Sequence, residues 1–74
     1  MTKSIGFMCE AILNAQGEVL FRETIAQLDL TKIEAFVYSD EGTGGYFVVM
    51  QSGMQYSISF VQYEILRAQW ESFP

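Results

Sequence analysis

The chain reads as a small α+β domain, an antiparallel sheet of four or five strands packed by a C-terminal helix. Three observations predict it. Met54-Gln55-Tyr56-Ser57-Ile58-Ser59-Phe60 alternates apolar and polar residues without a miss, the period of a strand with one buried face. Tyr46 to Gln51 precedes it across a Ser52-Gly53 turn, so the two segments form a hairpin. Directly afterwards the apolar spacing changes to the three-and-four rhythm of a helix.

The first element, Ser4 to Leu13, puts Ile5, Phe7, Cys9, Ala11 and Leu13 on one face and Gly6, Met8, Glu10 and Ile12 on the other. Asn14-Ala15-Gln16-Gly17 is a turn, with Gly17 free to take a positive φ. Val19 to Ala26 is the return strand, so the chain opens with a hairpin. Apolar residues on both of its faces suit a central position in the sheet.

Leu28 to Ser39 supports two readings. As a helix, Leu30, Ile33, Phe36 and Val37 share a face, and Thr31-Lys32-Ile33-Glu34 matches a capping box. As a strand, Ile33 to Tyr38 is rich in β-branched and aromatic residues and would pair with Tyr46 to Gln51. The first reading gives ββαββα; the second gives a five-stranded β-meander with one helix.

The C-terminal helix starts at Ser59, an N-cap with Gln62 at capping-box spacing. Tyr63, Leu66, Trp70 and Phe73 form one apolar stripe; Val61, Ile65 and Ala68 form a second. Glu64, Arg67 and Glu71 share a narrow sector. The apolar arc is wider than the ~100° needed to cover one sheet face, which leaves a spare stripe. Tyr63, Ile65 and Trp70 are therefore candidate contact residues; the bland reading is that the chain wraps its own loops around the helix, and that four of the five aromatics Tyr38, Tyr46, Tyr56, Tyr63 and Trp70 are core. An exposed edge beside Met54 to Phe60 would accept a partner strand.

A chain of 74 residues is read as a single domain, 1–74. Half of it is apolar and 15% aromatic, which excludes intrinsic disorder. The core is nevertheless small. Size scaling buries roughly 7,500 Å² on folding, about 60% of it apolar. At ~25 cal/mol per Å² that is about 110 kcal/mol. Ordering the chain at ~1.5 kcal/mol per residue costs nearly the same. One Cys gives no internal disulfide and no His leaves no ordinary zinc site. Association is the remaining way to gain stability, so self-association as a homodimer, or a protein partner, is expected.

Nine acidic residues against four basic give a net charge of −5, which argues against nucleic-acid binding and suits either plain solubility or a basic partner. No stretch approaches the ~18 apolar residues of a membrane span, and a lone Cys suits a reducing cytoplasm. Neither membrane binding nor a cofactor is expected.

Catalytic chemistry finds little support. Cys9 has no His to activate it and sits on an apolar strand face, where a small buried hydrophobe is the ordinary reading. Glu10 is read either as a salt-bridge partner of Arg22 or as a residue at a sheet edge. Asp40 and Glu41 lack the spacing of a calcium loop. The run Gly42-Thr43-Gly44-Gly45 lacks the Lys and following helix of a phosphate site. The loop from Asp40 to Gly45 is instead a candidate contact loop, with Asp40 and Glu41 as its charged residues. No family motif is present. In size, acidity and missing catalytic groups the chain resembles, as a class, small phage or mobile-element proteins that inhibit a host enzyme by occupying its surface. The expected function is a non-enzymatic interaction module that meets a basic surface on a partner protein. The alternatives are a structural subunit of a homo-oligomer, or a small-ligand or sensor domain. The latter would hold its pocket between helix and sheet, with Tyr56, Gln62 and Gln69 as polar handles.

Overall fold

The computed structural model describes residues 4–39 and 45–72. Its elements are β1 (Ser4–Leu13), β2 (Val19–Asp29), a 3-10 turn (Leu30–Lys32), β3 (Ile33–Ser39), β4 (Gly45–Met50), β5 (Gln55–Ile58) and α1 (Phe60–Ser72). The ambiguous segment is a strand, so the five-stranded alternative holds and ββαββα does not. Its β-branched and aromatic run pairs with β4 in antiparallel register from Ile33↔Met50 to Ser39↔Gly45. The predicted Thr31–Glu34 capping box is replaced by a different cap. Asp29 Oδ1 accepts from the Thr31 amide at 2.9 Å and from the Thr31 hydroxyl at 2.6 Å, capping a single 3-10 turn that ends where Ile33 takes up the extended conformation of β3.

The strands form one antiparallel sheet in the order β2-β1-β5-β4-β3. This is not an open meander. β1 pairs with β2 and also with β5, through Ala11↔Ser57, Ile12↔Tyr56 and Leu13↔Gln55. The two edges, β2 and β3, are consecutive in sequence and joined by three residues. At ~3.5 Å per residue that link cannot cross a flat five-stranded sheet, so the sheet curls until its edges approach. β5 therefore lies in the interior of the sheet, and the open edge expected beside Met54 to Phe60 is not there. The open edges belong to β2 and β3, so the central position expected of the first hairpin applies to β1 alone.

Inside the curl, Phe7, Cys9, Ile12, Ala26, Leu28, Leu30, Ile33, Val48, Met50, Ile58 and Leu66 form one buried cluster. Helix α1 closes it. Ser59 caps the helix by accepting from the Gln62 amide at 3.2 Å. Leu66 is fully buried, while Tyr63 and Trp70 pack on the aromatics of β3 and β4. Phe36 sits 5.6 Å from Tyr63 and 5.2 Å from Trp70, ring centre to ring centre, and Tyr46 sits 4.8 Å from Tyr63. The stripe that includes Leu66 thus faces the sheet.

The first hairpin departs from strict alternation. Phe7 lies edge-on to Tyr56 at 6.0 Å, and Tyr56 is the partner of Ile12. Phe7 and Ile12 therefore share the inner face although they are five residues apart, which a regular strand forbids. The change of face falls where Glu10 and Glu23 stand between the pairs Cys9↔Thr24 and Ala11↔Arg22. Glu23 has φ +49, the one non-glycine residue with positive φ among those described. A second irregularity, between Ile12 and Leu13, leaves Leu20 as an extra residue on β2.

Candidate functional site

Three surfaces of the fold carry features that packing does not use. One is the first hairpin. Its turn is well tied: Asn14 Oδ1 accepts from the Gln16 and Glu18 amides at 3.0 and 2.9 Å, and Asn14 Nδ2 donates to Glu18 at 2.7 Å. On this fixed support β2 is exposed from Val19 to Glu23. Phe21 is 60% exposed and Leu20 47%, and the cross-strand pair Met8↔Ile25 is 56% and 71% exposed. The same hairpin carries Glu10, Glu18, Glu23 and Asp29 against a single Arg22, so it is acidic overall.

The second surface is the spare stripe of α1. Phe60, Val61 and Ile65 are exposed, as is Ala68 beside them. Tyr46 connects Phe60 at 5.3 Å to the exposed Tyr38 at 4.8 Å, so the patch runs from the helix onto β3. Charges here nearly balance, with Glu64 beside the Arg67–Glu71 ion pair of 3.0 Å. That pair raises the Arg67 guanidinium pKa further, through the hydrogen bond to Glu71.

The third is a groove of about 420 Å³ on the outer face of the sheet. It follows from side-chain size. Ala11 and Ser57 oppose each other across β1 and β5, two small residues between larger neighbours. Phe47 flanks them on β4, and Val19 and Arg22 flank them on β2. The expected Glu10–Arg22 salt bridge does not form; both side chains line the groove instead.

Of the candidate contact residues, Ile65 lies on the exposed stripe, whereas Tyr63 and Trp70 pack against Phe36 and are half-buried. Asp40 and Glu41 lie outside the described residues. The polar handles do not converge on one cavity: Tyr56 packs under Phe7, Gln62 is half-buried at the helix start and Gln69 is exposed. Cys9 is fully buried and its thiol donates to the Thr24 carbonyl at 3.2 Å. Burial raises its pKa, as burial chiefly does for Tyr56. Among the described residues no group of three or more Asp, Glu or Cys side chains is placed to hold a metal ion. No described helix is long and apolar enough to cross a membrane.

Sequence reasoning missed the hairpin surface. The run Val19-Leu20-Phe21 was its signal, because three consecutive apolar residues cannot all face inward from one strand. The chain matches no protein-family model, and the comparisons with curated proteins and with solved structures found no match.

Proposed function

We propose that this chain is a non-enzymatic protein-interaction module that docks onto a basic surface of a partner protein through its first hairpin. One observation carries the reading: Met8, Leu20, Phe21 and Ile25 are about half or more exposed on a single hairpin that also holds four acidic residues. Met8 and Ile25 stand on the outer face and Phe21, opposite Ile12, on the inner one, so the hairpin offers exposed apolar side chains on both sides, a usual mark of a contact element. Its acidic charge then selects a basic partner and speeds encounter, while the apolar side chains supply affinity. Phe21 is the expected anchor, being the largest exposed side chain of the group.

The test is a comparative capture from cells in which the chain is naturally made. Parent, Phe21→Glu with Ile25→Glu, and Ile65→Glu are used as three baits. The expected result is a stoichiometric partner on the parent and on Ile65→Glu, weakened by salt and lost from the hairpin variant. A partner that stays on the hairpin variant, or none on the parent, overturns the reading.

Self-association is a second reading, favoured by the exposed stripe Phe60, Val61 and Ile65. Its nearly balanced charge opposes a second copy far less than the acidic hairpin would. Sedimentation equilibrium tests it directly. A dimer that becomes a monomer in Ile65→Glu supports the reading, and a parent that is monomeric throughout removes it.

A further inference from the structure

We propose that the outer-face groove is a binding site for a small zwitterion, an α-amino acid with an apolar side chain. The groove holds both signs of charge on an apolar floor. Glu10 and Arg22 line the same cavity, are exposed, and do not pair with each other. In the β1–β2 register Arg22 is opposite Ala11, the residue next to Glu10 in sequence, and both charged residues belong to the lining of the groove. A ligand that presents an ammonium group to Glu10 and a carboxylate to Arg22 satisfies both at once.

Between them the floor is Ala11, which is 9% exposed, with Leu13, Val19 and Phe47 as apolar walls. The Ser57 hydroxyl is the further hydrogen-bonding side chain in the lining. The volume of about 420 Å³ lies toward the small end of ligand cavities, which range over roughly 300–1,000 Å³. An apolar side chain in the groove would contact the half-buried Leu13 and Phe47 and the exposed Val19. A simple fatty acid would leave Glu10 without a counter-charge, and an amine would leave Arg22 without one.

The experiment is a titration of the ¹⁵N-labelled full chain followed by amide chemical shifts. The probes are L-leucine, leucine amide (no carboxylate), N-acetyl-leucine (no ammonium) and N-acetyl-leucine amide (neither). Saturable shifts are expected with L-leucine, clustered at Glu10, Ala11, Leu13, Arg22, Phe47 and Ser57. Each one-charge analogue should bind about tenfold more weakly and the neutral one should not saturate. Arg22→Gln, a surface change, should weaken L-leucine about tenfold. Ala11→Leu, checked for an intact spectrum, should abolish binding by filling the floor. Lack of saturation with L-leucine overturns the proposal. So do equal affinities for L-leucine and the neutral analogue, or unchanged binding in Arg22→Gln.

Discussion

Ile12 and Tyr56 stand directly opposite each other where the first strand pairs with the last. This pairing closes the sheet, and Phe7 packs edge-on against the same tyrosine. Ile12 also has a partner on its other side, Phe21, in the register of β1 with β2. One row thus contains a buried isoleucine at 9% exposure and a phenylalanine at 60%. Ile12→Ala should cost about 2–5 kcal/mol, the usual toll of emptying a core position. Phe21→Ala should change stability by no more than about 0.5 kcal/mol. Urea unfolding of the two variants checks this. Equal losses would mean that Phe21 is structural and unavailable as an anchor.

Glu23 should be replaceable with a gain. Its φ of +49 is costly for a residue with a side chain, and Glu10 stands across from it. Glu23→Gly removes the strain and one of two like charges, against the extra entropy that glycine gives the unfolded chain. A net gain of about 0.5–1 kcal/mol is expected, roughly 2–8 °C in Tm for a chain of this size. Glu23→Gln removes the charge but keeps the strain, so it should recover less. A larger gain from Gln than from Gly would show that charge, and not backbone, is the cost.

Gly53 is a position where a side chain cannot enter freely. Its φ is +96, and an added Cβ would lie 2.9 Å from the Ala15 side chain. Gly53→Ala should destabilise by about 1–3 kcal/mol. Gly17→Ala is the control, because φ is +86 there but nothing lies within 4 Å. The difference between the variants isolates the contact that locks the β4–β5 turn onto the first turn. Gln55 reinforces that contact by donating to the Asn14 carbonyl at 3.3 Å. Equal melting temperatures would mean that the two turns do not hold each other.

The parts of the fold that follow one period were legible in the sequence. Met54 to Phe60 alternates, and its centre is β5; Ser59 starts a helix and caps it. What was hidden depends on contacts remote in sequence. Nothing local distinguishes an open meander from one closed by Ile12 and Tyr56, because the closing pair is 44 residues apart. The hairpin's apolar residues on both faces suggested a strand buried on two sides. They arise instead from a change of face at Glu10 and Glu23, which no alternation rule contains. The groove was hidden for the same reason, since Ala11 and Ser57 meet only through the closure. The spare stripe with Ile65 was visible, because a helix of 13 residues displays its faces in its own spacing.

The last prediction concerns acid. Asp29 caps the turn that joins the two open edges, and two hydrogen bonds from Thr31, the hydroxyl foremost, hold its carboxyl below its ordinary value of 3.8. A carboxylate with a depressed folded pKa contributes stability that is complete above the unfolded value and lost as pH falls through the folded one. The contribution should therefore be whole at neutral pH and begin to fade near pH 4, disappearing below the folded pKa. Thr31→Val removes the hydroxyl and keeps the backbone amide, so the Asp29 pKa should rise toward 3.8. Carboxyl carbon shifts followed by NMR read the titration, and acid unfolding of parent and variant should converge at the lowest pH. An Asp29 titration unmoved by Thr31→Val would show that the hydroxyl does not hold the charge. The link between β2 and β3 is also tied to the β4–β5 turn, through the Gln51 amide that donates to the Lys32 carbonyl at 2.8 Å, and that bond does not titrate.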